Sequence, residues 1–191
     1  MYQQASITVR PDGGLRLVIV ADTHGHPHSN AARLIAAHKP DAILHAGDIG
    51  NLAVLAELRT IAPTFVVRGN IDQRRSDLPD VLALKLTAAA ANGSEGACLL
   101  TLLLLHIGVY GARLQAAAAR LARQFGSKMV VCGHSHVPFI GRDQGVTVFN
   151  PGSMGPRRFN LPVVFGVLEF AAGRMQLWHV DCETGERWLP P

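Results

Sequence analysis

Five short, largely apolar runs in this chain each stop at a residue able to ligate a metal. Leu17-Val18-Ile19-Val20-Ala21 runs into Asp22-Thr23-His24, and Ala42-Ile43-Leu44-His45-Ala46 into Gly47-Asp48. Phe65-Val66-Val67-Arg68 runs into Gly69-Asn70, Leu102-Leu103-Leu104-Leu105 into His106, and Met129-Val130-Val131-Cys132 into Gly133-His134-Ser135-His136. Continuous apolar runs of this length read as strands buried on both faces. Ligands of open α/β sheets bind at the carboxyl ends of the strands. Laid side by side, the five strands would bring Asp22, His24, Asp48, Asn70, His106, His134 and His136 to one crevice. A lone Asp after a strand is ordinarily a turn residue, and a lone His is ordinarily packed. The coincidence at five strand ends carries the inference.

The segments between the runs fix the fold class. Helical spacing covers residues 29–38, with Ser29 as N-cap, and residues 52–59; a third, Ala- and Arg-rich helix is expected over 111–124, closed by Gly126. Further strands are expected at 81–86, 97–105, 138–140, 146–149, 163–170 and 175–180, with a short one at 7–9, a loop over 88–94 and a hairpin turn at 171–174. The N-terminal half alternates strand and helix and the C-terminal half is strand-rich, which predicts two packed sheets with helices outside. The 191 residues show neither an internal repeat nor a linker, so a single domain over 1–191 is expected.

Composition narrows the classes. With 48% hydrophobic and 17% charged residues the chain is globular, not disordered. The three cysteines, Cys98, Cys132 and Cys182, form no C-x-x-C pair and fit a reducing compartment. The N-terminus lacks the pattern of a signal peptide, and no apolar run reaches the ~20 residues of a spanning helix, so a soluble, cytoplasmic protein without membrane partners is expected. The net charge of +4 suits an anionic substrate. The basic residues form no stripe, which disfavours nucleic acid as partner. Apolar strands near the C-terminus leave homo-oligomerisation open.

The seven candidates supply carboxylate, amide and imidazole donors without thiolate, a set suited to manganese, iron, zinc, cobalt or nickel. One carboxylate, best Asp48, can bridge two ions roughly 3.5–4 Å apart. Two divalent ions outweigh the two aspartates, so the centre stays cationic and attracts phosphate; a carboxylate in place of Asn70 would weaken that attraction.

Asp22-x-His24, Gly47-Asp48, Gly69-Asn70, His106 and Gly133-His134-x-His136 resemble the ordered motifs of the calcineurin-like metallophosphoesterases. Asp22-Thr23-His24-Gly25, Arg68-Gly69-Asn70-x-Asp72 and Asn150-Pro151-Gly152-Ser153 resemble the small, single-domain prokaryotic phosphodiesterase branch. The resemblance covers about residues 15–180. It implies a four-layer α/β/β/α sandwich of two mixed sheets, with a dinuclear centre at the strand carboxyl ends and manganese as the first expectation. Asp22, His24, Asp48 and His136 would hold one ion, and Asp48, Asn70, His106 and His134 the other. The implied activity is hydrolysis of phosphodiesters by a metal-bridging hydroxide, with His106 and His134 near the developing charge. A phosphomonoesterase or nuclease on the same site, or a scaffold like the retromer subunit of this fold, are the alternatives.

Two positions depart from relatives. Ile107 follows His106 where the branch has Gly. Asp72 stands where protein phosphatases place a His, and an ionised carboxylate cannot protonate a leaving alcohol, so diesters are expected over monoesters and Asp72 counts as a catalytic candidate. Arg68 and Arg157 are candidate substrate contacts. His26 and His28 read as surface residues, and His45 as a buried polar residue behind the ligands.

Overall fold

The computed structural model describes residues 1–90, 95–171 and 173–190. Among these the chain runs β1 (Tyr2–Thr8), β2 (Leu15–Val20), α1 (Ala31–Ala37), β3 (Ala42–His45), α2 (Ala53–Ile61), β4 (Thr64–Val66), β5 (Val81–Ala89) and β6 (Glu95–Leu105). A small ribbon of β7 (Val109–Tyr110) and β8 (Arg113–Leu114) precedes α3 (Ala116–Gln124). The rest is β9 (Met129–Val131), β10 (Pro138–Asp143), β11 (Val146–Pro151), β12 (Val164–Ala171), β13 (Arg174–Asp181) and β14 (Arg187–Trp188).

Two six-stranded mixed sheets form, in the orders β1-β5-β6-β9-β11-β10 and β14-β13-β12-β2-β3-β4. Side-chain alternation explains how they stack. In β2, Leu17 and Ile19 join a central cluster with Leu84, Leu102, Leu104, Met129 and Phe149 of the other sheet. Val18 and Val20 point the opposite way, onto Leu34 and Ile35 of α1 and Val54, Leu55 and Leu58 of α2. In β6 and β9, Leu103, Leu105 and Val130 turn outward onto Ala118, Ala119, Leu121 and Ala122 around α3. Each central strand therefore buries both faces, which is why its sequence is apolar without interruption. The result is the expected α/β/β/α sandwich.

The parallel pairings place the site. β2, β3 and β4 are mutually parallel in one sheet, and β6, β9 and β11 in the other. Their carboxyl ends reach one common rim, where Met154 N–H after β11 donates to Ala21 O after β2 and joins the two sheets.

Local departures have local causes. α3 starts at Ala116, five residues later than expected, because Gly111 at φ +57° turns the preceding residues into the β7–β8 ribbon. Ser29 caps nothing: α1 begins at Ala31 with Asn30 before it and no side-chain cap bond. β1 is longer than expected and pairs parallel to β5 over Tyr2–Thr8; its exposed Gln3 and Gln4 hid it. β5 runs on to Ala89, shortening the loop expected over 88–94, and residues 91–94 lie outside the described residues. The hairpin at 171–174 forms, with Ala171 opposite Arg174 and residue 172 outside the description. Among the described residues no helix is long and apolar enough to cross a membrane.

None of the seven candidate ligands belongs to the three apolar clusters. Stripping divalent metal with a chelator is therefore expected to leave the far-UV circular dichroism within about 10% of its starting amplitude, since the core of a chain this size folds on apolar burial. Loss of most of that signal would show the fold to depend on metal.

Candidate metal centre

Short connections separate the strands from the candidate ligands. β2 leads through Ala21 to Asp22, β3 through Ala46 and Gly47 to Asp48, and β4 through residues 67–69 to Asn70. β6 ends directly against His106, and β9 leads through Cys132 and Gly133 to His134 and His136. Backbone bonds lace the turns together. Asp22 N–H donates to Gly47 O at 2.9 Å and His24 N–H to Asp48 O at 3.0 Å in one sheet, and Gly133 N–H to His106 O at 3.0 Å between neighbouring strand ends of the other.

These turns are strained at the candidates themselves. Asp22, His24, Asp48, His134 and His136 have φ of +54°, +48°, +54°, +70° and +59°. Residues with a side chain rarely adopt such values, at a cost of order 1 kcal/mol each. Room for them is made by glycine: a Cβ on Gly69 would overlap the backbone and carboxylate of Asp48, and one on Gly47 would stand 2.8 Å from His106 Nδ1.

Six of the seven candidates converge. Asp48 Oδ1 stands 3.2 Å from His106 Nε2, and its Oδ2 stands 3.8 Å from His24 Nε2. Asp22 Oδ1 lies 3.4 Å from His136 Nε2, which is 3.3 Å from His24 Nε2. The donor atoms of Asp22, His24 and His136 all lie within 4.8 Å of one another, as do those of Asp22, Asp48 and His106. The His134 ring meets His106 edge-on at a centroid distance of 5.2 Å. Asn70 is exposed and lines one cavity with His106 and Ile107, and the next residue, Ile71, donates its N–H to Asp48 Oδ1 at 3.2 Å. Beyond Ile107, Gly108 packs so closely on Cys132 that an added Cβ would stand 2.8 Å from the Cys132 Cβ.

The polar atoms fit cations. His106 Nδ1 bonds Ala46 O at 2.8 Å, which as a donor to that carbonyl directs Nε2 at the cluster. Asp22 Oδ2 accepts from His134 N–H at 3.0 Å, leaving Oδ1 for the same space. Asp22 Oδ1 and His106 Nε2 are buried without a hydrogen-bond partner. Buried polar atoms without partners are costly, and two of them facing each other's ligand group is what an ion site requires.

Burial raises the Asp22 pKa from 3.8 to about 7, with Asp48 adding to the effect. Burial also opposes ionisation of Asp48, but His106, the Ile71 amide and His24 outweigh it and lower its pKa. His106 is raised despite burial, because Asp48, Asp22 and the Ala46 carbonyl favour its proton. Burial lowers His24, His134 and His136, the last to about 4, helped by Arg158. Neutral imidazoles are the form that ligates metal. Cys132, adjacent to the last turn, has its thiol pushed up to about 12 by burial, so it stays protonated.

Other candidates sit differently. Asp72 is a clamp on the loops: its carboxylate accepts from Ile49 N–H at 3.0 Å, Gly50 N–H at 3.0 Å and Gly69 N–H at 2.7 Å. Arg68 pairs with Asp80 at 2.5 Å and also donates to Gly69 O. Arg157 pairs with Glu183 at 2.5 Å and donates to Leu161 O. Its neighbour Arg158 is the one that reaches the cluster, with Nη2 3.2 Å from His24 Nε2. The Arg157-Arg158 doublet was visible in sequence; which member faces the rim was not. His45 is buried behind the ligands, accepting from Gly47 N–H and meeting Thr23 Oγ1, which donates to Ile49 O. The Asn150-Pro151-Gly152-Ser153 segment is a brace. Asn150 Nδ2 donates to Gly133 O and Ser135 Oγ, and Ser153 Oγ donates to Asp22 O.

The calcineurin-like phosphoesterase superfamily domain matches residues 15–173. A probable metallophosphoesterase of Methanothermobacter thermautotrophicus is 28% identical over 155 residues, which span 76% of this chain and 81% of that protein. Among solved structures, vacuolar protein sorting 29 of Cryptosporidium parvum superposes with a TM-score of 0.73 at 17% identity, covering 92% of this chain and 95% of that one. The phosphoesterase YfcE of E. coli gives 0.58 at 18% identity, covering 91% and 96%. At these identities the two structures speak for the fold.

Asp22 also sets a pH dependence. A carboxyl whose pKa rises on folding contributes stability that is present below the unfolded value and lost as pH rises through the folded one. In chelator-treated protein, wild type should therefore lose stability relative to Asp22→Asn between pH 5 and 8, by about 1–3 kcal/mol. Urea denaturation of both proteins across that range measures it. A constant difference would show that Asp22 is not held protonated by burial.

Proposed function

Since the chain belongs to the calcineurin-like phosphoesterase superfamily, we propose that it is a hydrolase of phosphodiesters that works with two divalent ions. One observation carries this reading: the Asp48 carboxylate faces His24 with one oxygen and His106 with the other, beside the unpartnered Asp22 Oδ1 and His106 Nε2. Asp22, His24, Asp48 and His136 would hold one ion, and Asp48, Asn70, His106 and His134 the second. The donor set favours manganese, iron, zinc, nickel or cobalt. When bound, two such ions supply Lewis acidity to a phosphoryl oxygen and acidify water at neutral pH.

The protein's own residues supply geometry. The positive-φ turns fix the ligand vectors, and His106 is aimed by its bond to Ala46 O. Asp72 acts here as a positioning residue, because its carboxylate fastens the loop after β3 to the loop after β4. Its oxygens are taken up by three backbone amides and so are not offered to a leaving alcohol, and a carboxylate at this rim disfavours a dianionic monoester more than a monoanionic diester. Both effects favour diesters. Six of the seven ligand candidates converge and Asn70 lines the adjoining cavity, which favours catalysis over a scaffold role. The expected compartment is the cytoplasm, with a small phosphoester as the partner of the site.

Asp48→Asn should lose at least one of two bound ions, read by elemental analysis, and at least ~10²-fold in kcat/KM for an aryl phosphodiester. Wild-type metal content and turnover in that variant would remove the bridging role. In the wild type, kcat/KM for the aryl diester should exceed that for the matching monoester; the reverse order would make the protein a monoesterase.

A further inference from the structure

Arg158 stands at the cluster, with Nη2 3.2 Å from His24 Nε2. Arg10, Arg16, Arg68, Arg75 and Arg157 each pair with a carboxylate. Among the described residues no carboxylate lies within ion-pair distance of Arg158, which instead reaches the His24 Nε2 that would take an ion. Its charge acts on Asp22, His24, His134 and His136 together. A guanidinium beside three imidazoles gains little there, and two divalent ions would repel it further. An anion bound between the ions and the guanidinium reverses that balance.

The loop under Arg158 is braced on both sides. Before it, Ser153 Oγ donates to Asp22 O, Met154 N–H to Ala21 O, and His28 N–H to Met154 O. Gly155 passes so close to the Asp22 and Thr23 carbonyls that a Cβ would overlap them. After it, Leu161 N–H donates to Arg158 O, and Arg157 ties the segment to Leu161 O and Glu183. Phe159 is held at φ +52°, a conformation that costs energy in a residue with a side chain. The backbone of Arg158 is thus anchored to the same strand end that carries Asp22.

We propose that Arg158 is a substrate-binding residue that grips a non-bridging oxygen of the phosphoryl group above the ligand cluster. The planar fork of guanidinium donors matches two phosphoryl oxygens, which a lysine would meet only as a point charge. This assignment rests on the esterase reading for its substrate, but its binding test does not.

Inorganic phosphate titrated calorimetrically into manganese-loaded protein provides that test, with diester kinetics and metal content alongside. Arg158→Ala should bind phosphate about 10- to 100-fold more weakly, the range for a hydrogen bond to a charged group, with unchanged or tighter metal binding. Arg158→Lys should recover part of the loss, and Arg174→Ala, which removes an exposed charge on β13, should match the wild type. A fall in kcat/KM of similar size should accompany Arg158→Ala. Equal phosphate affinity in Arg158→Ala and wild type, no phosphate binding by wild type, or loss of metal from the variant would each overturn the assignment. Arg158-dependent phosphate binding in a protein that hydrolyses no ester would uphold it and remove the esterase reading.

Discussion

A carboxylate with no solvent exposure, Asp22 at the end of β2, sets the terms for everything around it. One of its oxygens is satisfied by the His134 amide and the other has no partner. Burying such a group uncompensated is expensive, and a protein resolves the cost by protonating it or by meeting it with positive charge. Both answers are visible here. The carboxyl is pushed up to about 7, and His106, three histidine neighbours and Arg158 crowd the space it faces. Divalent ions would settle the same imbalance more fully, because they meet Asp22 and Asp48 at once and leave a net positive centre for phosphate.

The fold makes this concentration affordable by keeping it away from the core. Three apolar clusters hold the four layers together, and the charged groups occupy only the rim where the two sets of parallel strands end. Parallel strands bring their carboxyl ends to one side, so a single rim collects turns from both sheets. The strain in those turns is confined to a few residues between rigid strands, and the bond from Gly133 to His106 within one sheet and the bond from His134 to Asp22 between the sheets hold it in place. Asp72, Asn150 and Ser153 tie the loops from behind with side-chain bonds to backbone.

Most of this was legible in the sequence because the signals were strong ones. The uninterrupted apolar runs gave the central strands, and the polar residues directly after them gave the rim. Weak or shared signals were misread. Gly111 looked like a helix start and is a ribbon turn; the two residues of β14 carry no pattern of their own. Asp72 stood out in sequence only as a catalytic candidate, and its contacts to three backbone amides are a further feature that sequence cannot show. Arg157 and Arg158 are chemically identical neighbours, and only the course of the loop separates a brace bonded to Glu183 from a guanidinium beside His24. Strand ends are set by local sequence, whereas loop side chains are set by tertiary contacts, and the errors fall on the second kind.

The central claim is that Asp22 and Asp48 share two ions at this rim. Anomalous diffraction from crystals grown with manganese tests it most directly. Two peaks roughly 3.5–4 Å apart, with Asp48 between them and Asp22 and His106 in contact, are the predicted result. A single peak, or none within reach of Asp48 at saturating manganese, would contradict it.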